Sequence, residues 1–496
     1  MNVLLLSMPD SFEHMAPVAI RMPNGALASL AGNVDPHHRV AVADLILAQK
    51  NVAGTVDRLV RDHRPDVVGL SVMTFQRPTA FKVIARVKAQ RPDARIVVGG
   101  YDPSLAVDSY VAPEQGVDFV VRGEGEATFS ELLRALEAGR APDGIAGLSY
   151  RDGDAFRHNP DRPVSSLKEP IRLPRRDARV LSGYTLLGRP VDVIETSRGC
   201  TFDCSFCSII EMRGRNFHVY DFERVLADIR DAREHGARVI FLVDDNVTLN
   251  VARFEGLCRA IVDAGLDDLD YVVQAMTSAI ADHGQTLAPL MRRAGFRYVF
   301  LGIENVLDED LAFLNAKEKN AKRDGGRRQE SATLAAVEHL HRHGMFVVGG
   351  LIVGNPDDTR EKIAANLEFA RRYVDWPYIQ HPTPYPRTPM TRDLLARGLI
   401  INHRPQDYDG TTAVVKSEHL SAEEIEFQRW RAERWIKMRH FPVAFLHSPG
   451  FCLRHGLAMV AHTFRGSSWR SWLGLEGART VFARYRAIRE AERNYL

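Results

Sequence analysis

The sequence predicts an α/β protein: a doubly wound, Rossmann-like N-terminal domain, then a partial, open (β/α)6 barrel, then a helical C-terminal region. Three observations carry that expectation. From residue 2 to about 136, short aliphatic or β-branched runs alternate with amphipathic helical stretches. The same alternation resumes from about 190 to 390, after a stretch rich in Pro, Arg, Asp and Gly. From about 420 the strand pattern ends, and an Arg- and Trp-rich helical pattern runs to Leu496. Strand and helix periods that alternate in this way specify parallel sheets covered by helices.

The first set of runs is Val3 to Leu6, Val40 to Leu45, Asp66 to Ser71, Arg95 to Gly100 and Phe119 to Arg122. Each run ends in small or polar residues, as in Leu70-Ser71-Val72-Met73-Thr74 and Gly99-Gly100-Tyr101-Asp102. Open parallel sheets bind ligands at those carboxyl ends, and small residues there let a bulky ligand approach the backbone. The N-terminal Met-Asn-Val-Leu-Leu-Leu-Ser-Met-Pro reads as the first strand, because its apolar run is too short for a signal peptide and no basic segment precedes it. This domain is assigned to residues 1–140 and a linker to 141–185, where Arg162-Pro163-Val164 and Leu173-Pro174-Arg175-Arg176 show little periodicity.

The barrel is assigned to residues 186–395. Its strands are Val191 to Thr196, Val239 to Val243, Tyr271 to Ala275, Tyr298 to Ile303, Phe346 to Val353 and Tyr378 to His381. Helical patterns such as Phe222 to His235 and Glu361 to Tyr373 lie between them. Barrels of this class keep their chemistry at the carboxyl ends of the strands. Residues 396–496 form the helical cap or substrate region.

The composition narrows the class of function. Of 496 residues, 45% are hydrophobic and 26% charged, which suits several packed cores. The 65 basic and 63 acidic residues leave a net charge of +2, so no global field points to nucleic acid as a partner. No stretch reaches the ~18–20 apolar residues of a membrane span. Five cysteines are too few for a disulfide framework, and three fall within eight residues, which predicts metal-bound thiols in a reducing, cytoplasmic setting.

Those three lie in Thr196-Ser197-Arg198-Gly199-Cys200-Thr201-Phe202-Asp203-Cys204-Ser205-Phe206-Cys207, directly after the first barrel strand, with the spacing C-x3-C-x2-C. Three thiolates so close together can grip one cubane cluster and leave its fourth iron open to chelate the methionine end of S-adenosylmethionine (SAM). A closed zinc site wants four ligands, usually two paired sets, and the remaining Cys258 and Cys452 lie far along the chain.

With aromatic Phe206 just before Cys207, this segment resembles the signature of the radical SAM superfamily. The resemblance implies a 4Fe-4S cluster on Cys200, Cys204 and Cys207, and a 5'-deoxyadenosyl radical made from SAM. It also implies a SAM site built from Phe206 and from residues at later strand ends. Those are Asp244 and Asp245 in Phe241-Leu242-Val243-Asp244-Asp245-Asn246, Gln274, and Glu304 in Phe300-Leu301-Gly302-Ile303-Glu304-Asn305. Gly350, Ile352 and Gly354 follow in the G-x-I-x-G stretch, and Thr383 in Thr383-Pro384-Tyr385-Pro386-Arg387-Thr388-Pro389.

The first domain resembles the cobalamin (vitamin B12)-binding domain that precedes many radical SAM modules, on Arg64-Pro65-Asp66-Val67-Val68-Gly69-Leu70-Ser71, Val97-Val98-Gly99-Gly100-Tyr101-Asp102-Pro103-Ser104 and Val121-Arg122-Gly123-Glu124-Gly125-Glu126. The resemblance implies cobalamin contacts from Ser71, Val72, Thr74, Gly99, Gly100, Tyr101, Gly123 and Glu124. One departure concerns the lower face of cobalt: in place of D-x-H-x-x-G the chain has Asp10-Ser11-Phe12-Glu13-His14-Met15-Ala16-Pro17, with the wrong spacing and no glycine. His14 is therefore not expected to ligate cobalt.

Together these resemblances imply a cobalamin-dependent radical SAM methylase acting on an unactivated carbon of a small-molecule, apolar or lipid-like substrate. Flavodoxin or ferredoxin is the expected kind of reducing partner, and nucleic acid is not a partner. A radical SAM cyclase, coupling or oxygenating enzyme is the alternative. A cobalamin or metal sensor is a third reading, against which the intact cysteine motif and the lack of an output module argue. Residues 421–496 hold 13 Arg or Lys against 7 Asp or Glu, with aromatic residues at helical spacing. They predict either a cap over the open side of the barrel or a helix in peripheral contact with a membrane surface.

Overall fold

The computed structural model describes residues 1–11, 16–167, 171–324, 327–329 and 332–496. His14 lies outside them. The first sheet is built from β1 (Asn2–Ser7), β2 (Arg39–Asp44), β3 (Val67–Ser71), β4 (Arg95–Gly99), β5 (Phe119–Val121), β6 (Leu148–Asp152) and β7 (Ala155–His158). Their order across the sheet is β2-β1-β3-β4-β5-β6-β7. The first five strands run parallel. The near-continuous apolar runs of β1 and β3 are buried on both faces, as a parallel sheet requires. Helices α1 (Gly25–Asn33), α2 (Val52–His63), α3 (Arg77–Gln90) and α4 (Gly125–Glu137) supply the cover. Leu27, Ala31, Phe129 and Leu132 pack with Val3 and Leu5 on one face. Val56, Leu59, Val83 and Ile84 pack with Leu4 and Leu6 on the other.

The stretch expected as a linker is more ordered than its composition suggests. β6 and β7 form a hairpin that extends the first sheet antiparallel to β5. Strands of five and four residues alternate too briefly to show in the sequence. Farther on, buried Arg176 donates to Asp192 at 2.9 Å, Asp228 at 2.7 Å and Asp231 at 2.6 Å, and Arg179 donates to Asp192 at 2.6 Å. A buried guanidinium persists only when several carboxylates surround it, so these contacts pin the segment to the barrel.

The second sheet has the expected six parallel strands in sequence order: β8 (Arg189–Ile194), β9 (Val239–Leu242), β10 (Asp270–Met276), β11 (Phe296–Glu304), β12 (Phe346–Ile352) and β13 (Trp376–Gln380). Helices α5 (Phe222–Glu234), α6 (Val251–Asp263), α7 (Thr277–Arg293), α8 (Ala332–Arg342) and α9 (Arg360–Tyr373) cover the outside. Val225, Ile229, Leu257, Leu287 and Leu340 fill the core between helices and strands. Two short antiparallel strands, Thr185–Leu186 and Ile20–Arg21, extend the β8 edge. A piece of the first region is thereby built into the second sheet.

The C-terminal region folds as α10 (Ala422–His447), α11 (Pro449–Thr463) and α12 (Ala478–Glu492). α10 packs along α9 and β13, and α11 packs on α10. Phe451 of α11 reaches Gly188 in the turn before β8. The pair therefore bridges from one edge of the open barrel to the other, as a cap does. α12 is anchored by Arg489, which donates to Asp409 at 2.8 Å, and the chain returns to the first sheet, where Lys82 donates to Asn494 at 2.7 Å. Among the described residues, no helix is long and apolar enough to cross a membrane.

Candidate functional site at the junction of the two sheets

The carboxyl ends of both sheets open on one cavity of about 930 Å³. Ser7, Met8, Asp10, Ser71, Met73 and Tyr101 line it from the first sheet, and Cys200, Cys204 and Cys207 from the loop after β8. The barrel contributes Phe241, Gln274, Phe300, Trp376 and Tyr378, and the cap contributes Met438, Phe441, Phe451 and Met459.

The cysteine loop is held from several sides. Asp244 accepts hydrogen bonds from the Thr196 amide at 2.7 Å and from both the Thr196 and Ser197 hydroxyls. Burial pushes its carboxyl up to about 7, against those hydrogen bonds. Asp245 accepts from the Gly199 amide at 2.8 Å and from Arg213 at 2.9 Å. Gly199 has φ +90°, and a Cβ there would meet the Asn216 backbone oxygen at 2.5 Å, so only glycine fits. Farther along the loop, the Ser205 amide donates to Leu314 O at 2.9 Å and its hydroxyl to Phe313 O at 2.8 Å.

All three thiols are free. Cys204 is buried with Leu311, Leu314 and Ile352, beside Phe202 and Phe206. Burial pushes its thiol up to about 11 and that of Cys207 to about 12. The Asn246 amide lies 3.5 Å from the Cys200 sulfur. Three free thiols on one loop, over an apolar floor and with an amide donor at one sulfur, fit a sulfur-ligated cluster. Among the described residues, the group whose ligating atoms crowd within 4.8 Å of one another is instead His37, His38 and Glu137, outside this cavity.

The other sequence-predicted residues divide. Phe206, Asp244, Asp245, Gln274, Glu304, Gly350 and Ile352 line the cavity. Gly354 and Thr383 are not in its wall. Gly354, at φ +95°, donates its amide to Asp358 at 2.7 Å, and a Cβ on it would strike Ile425 of α10. Thr383 is buried and donates to His381 O. Asp244 and Asp245 spend their carboxylates on the cysteine loop, where the sequence suggested they would face SAM directly. Glu304 adopts φ +60° at the end of β11 and pairs with Lys319. Burial alone would pull the Lys319 ammonium down, but Glu304 and Cys204 outweigh it and hold the group above the usual lysine range. Sequence reading missed Lys319, which sits in no recognisable motif.

On the first sheet, Ser71 and Tyr101 line the cavity, whereas Val72, Thr74, Gly99, Gly100, Gly123 and Glu124 are not in its wall. Gly100, at φ +103°, packs against Val72, and Gly123 donates its amide to Ser104 at 3.0 Å. Glu124 is engaged elsewhere. It accepts from the Ser165 amide at 2.8 Å and, with Glu126, from Arg198, two residues before Cys200. Arg198 also donates to Glu195 at 2.7 Å. Burial opposes ionisation of Glu126, but the Arg198 guanidinium holds its carboxyl down at about 2. Burial pushes Glu195 up in spite of the same guanidinium. The cysteine loop is thus clamped to the first sheet by ion pairs that neither motif announces. After the end of β1, Asp10 of the cavity wall accepts at Oδ1 from Thr79 at 2.9 Å, its Oδ2 is buried without a partner among the described residues, and burial pushes the carboxyl up to about 7.

Comparison with known proteins gives this arrangement a family. The radical SAM superfamily pattern matches residues 194–370 and the B12 binding domain residues 15–133. An uncharacterized methyltransferase of Pyrococcus horikoshii is 30% identical over 427 residues, covering 86% of this chain and 90% of the relative. The hopanoid C-3 methylase of Methylococcus capsulatus is 30% identical over 329 residues, covering 66% and 60%. The anaerobic magnesium-protoporphyrin IX monomethyl ester cyclase of Cereibacter sphaeroides is 26% identical over 415 residues, covering 81% and 63%.

Among solved structures, the radical SAM methyltransferase TsrM from Kitasatospora setae superposes with TM-score 0.64 at 21% identity, covering 80% of this chain and 76% of that one. The cobalamin-dependent SAM radical enzyme OxsB superposes with TM-score 0.65 at 17% identity, covering 99% and 75%. At those identities the superpositions establish the fold. The chain belongs to the radical SAM superfamily and carries an N-terminal B12-binding domain. It is an enzyme of the methyltransferase kind, using a 4Fe-4S cluster, SAM and cobalamin.

Proposed function

We propose that this enzyme methylates an unactivated carbon of an apolar small molecule held in the barrel. A single cavity carries the reading, because it joins the cysteine loop, the carboxyl ends of the B12-binding sheet and an aromatic barrel interior. Bound there, the cluster and SAM supply a hydrogen-abstracting radical and cobalamin supplies the methyl group. The protein's part is to hold and to exclude.

In this reading Cys200, Cys204 and Cys207 are the cluster ligands, and Asp244 and Asp245 fix their loop through the Thr196 and Gly199 amides. Glu304, Gly350, Ile352 and Gln274 border SAM. Gly350 leaves room that a side chain would take, since a Cβ on it would lie 2.8 Å from the Phe300 ring. Glu304 is the hydroxyl acceptor, oriented by Lys319. Ser71 and Tyr101 meet cobalamin at the cavity face. Phe300, Trp376 and Tyr378 line the space beneath and keep water from the reacting carbon.

We divide the chain as 1–140, 141–185, 186–395 and 396–496, with the hairpin of β6 and β7 packed on the first unit. A small one-electron donor of the flavodoxin or ferredoxin class, in a reducing compartment, suits the free thiols. The likeness to the Cereibacter cyclase favours one second reading, radical ring closure without methyl transfer. Anaerobic reconstitution with iron, sulfide and hydroxocobalamin, followed by mass spectrometry of SAM products, tests both. Methyl transfer yields S-adenosylhomocysteine together with 5'-deoxyadenosine, and 5'-deoxyadenosine alone in the presence of a turned-over substrate overturns it.

A further inference from the structure

We propose that the outer face of α11 seats the enzyme on an anionic bilayer, and that the substrate is a membrane lipid whose apolar body enters the barrel past that helix. The inference rests on reading the cavity as the substrate chamber. It starts from two faces of one helix. Phe451, Cys452, Gly456 and Met459 line the cavity. On the adjoining flank of the helix Leu453 and Leu457 stand 78% and 90% exposed, and Leu446 at the end of α10 is 79% exposed. In the segment that follows α11, Trp469, Leu473 and Leu475 are exposed as well. That segment is tied to α10 and α11 by the Trp472 ring, 4.1 Å from Trp435 and 5.3 Å from Phe464. Single exposed leucines need no explanation, whereas these six large apolar side chains exposed within residues 446–475 mark an interaction surface.

The charge pattern selects the occupant. Much of the basic excess in this region is consumed internally: Arg429 pairs with Glu433, Arg489 with Asp409 and Glu426, and Arg493 with Asp409. Arg439 and Arg454 are exposed on α10 and α11 and make no ion pair among the described residues. Leucines and tryptophans bordered by unpaired arginines fit an acyl boundary under anionic headgroups. A second copy of the chain fits less well, because a two-fold contact through this face would bring the same arginines together.

One helix therefore separates bilayer from cavity. Gly456 lines the cavity, and apart from the backbone of its own helix and its chain neighbours nothing lies within 4 Å of where its Cβ would stand, which leaves a thin place in that wall. The same cavity wall holds Phe441, Met438, Phe346 and Trp376, which offer apolar contact beside Lys437, His447 and Ser448. An elongated or polycyclic lipid suits such a wall.

The test uses the full chain and flotation at low salt with phosphatidylcholine vesicles, plain or containing about one quarter phosphatidylglycerol. The chain should float with the anionic vesicles, and Leu453→Asp combined with Leu457→Asp should lower the bound fraction at least about tenfold. Unchanged circular dichroism of the variant secures its fold. A wild type that stays in the soluble fraction overturns the proposal, as does a variant that floats equally well. Sedimentation velocity showing a dimer that the paired substitution dissociates also overturns it, assigning the face to a second copy. Palmitate bearing a terminal diazirine, carried in the vesicles, should label Cys452 or Met459 on irradiation. Labelling confined to Leu453 and Leu457 overturns lipid entry. Substrate-free cleavage of SAM by the reconstituted enzyme is read separately: its loss in wild type, with flotation intact, defeats the proposed function and not the docking.

Discussion

Both sheets turn their carboxyl ends toward the same cavity, but they use those ends differently. The barrel edge delivers side chains to the cavity wall: Asp244, Asp245, Gln274, Glu304, Gly350 and Ile352 all reach it. The first sheet delivers Ser71 and Tyr101 and keeps Val72, Thr74, Gly99 and Gly100 behind the wall. Glu124 leaves the wall altogether and, with Glu126, grips Arg198. The rule that parallel sheets bind ligands at their carboxyl ends locates the junction. Which end residues contact a ligand depends on what else needs their hydrogen bonds, and the cysteine loop claims Asp244 and Asp245 on one side and Glu124 and Glu126 on the other.

The largest effect tests the barrel edge. Replacing Cys200, Cys204 or Cys207 by alanine should abolish reductive cleavage of SAM and strip iron from the reconstituted protein, because two thiolates cannot hold a site-differentiated cubane. Cys258→Ala and Cys452→Ala should keep both, since neither residue is on the cysteine loop. Iron analysis and 5'-deoxyadenosine production measure the difference. Cleavage that survives in Cys204→Ala would remove the basis of the comparison.

The next effect tests the clamp between the two edges. Arg198→Ala leaves Glu124, Glu126 and Glu195 without their shared guanidinium. Breaking a buried ion pair by removing one partner costs about 3–5 kcal/mol. Denaturant unfolding of the cofactor-free variant should show that loss, and a change within experimental error would mean the clamp holds nothing.

The same ion pair predicts a pH dependence. Glu126 is held at about 2 in the folded chain against a reference of 4.5, so its contribution is complete above about 4.5 and is lost as pH falls toward about 2. That shift corresponds to something on the order of 3 kcal/mol. Unfolding measured through this window should fall more steeply for wild type than for Glu126→Gln, and parallel curves would reassign the acid sensitivity to other groups.

What could be read from the sequence follows from how far each signal extends along the chain. The six barrel strands and five of the first sheet declare themselves by aliphatic runs bounded by small residues, and the cysteine motif is contiguous. The hairpin of β6 and β7 is too short to show a period. Apart from the Arg198–Glu195 pair, the Arg176 and Arg198 networks join residues 16 to 74 positions apart, and nothing local marks an arginine destined for burial. Lys319 was invisible for the same reason, since its partner Glu304 lies on the preceding strand end, fifteen residues away. The tail's basic excess was legible as a count but not as a surface, because half of its meaning lies in which arginines the fold consumes.

A smaller effect probes the space beside SAM. Gly350→Ala puts a Cβ 2.8 Å from the Phe300 ring edge. The ring must shift to make room, at a cost of about 1–3 kcal/mol. Weaker SAM binding by equilibrium dialysis, with the iron content unchanged, is the expected outcome. Unaltered affinity would place SAM away from β12.

The smallest expected effect concerns the lower face of cobalt, where the first sheet departs from the histidine-donating pattern. Asp10 and His14 lie four residues apart, and no glycine follows at the pattern's place. Asp10 itself is engaged at Oδ1 by Thr79, and Gln76 donates to its backbone oxygen at 2.9 Å, which fixes the carboxyl toward α3. Its neutral form is favoured by burial up to about pH 7, so it offers little charge to orient an imidazolium or a strongly basic imidazole. His14→Ala should therefore bind hydroxocobalamin within about twofold of wild type, a difference below ~0.5 kcal/mol. The electron paramagnetic resonance spectrum of the cob(II)alamin form should be the same in both proteins, without nitrogen superhyperfine splitting from a protein imidazole. Splitting that is present in wild type and absent from His14→Ala would show that the first sheet does reach cobalt through a side chain, and the contrast between the two edges would narrow accordingly.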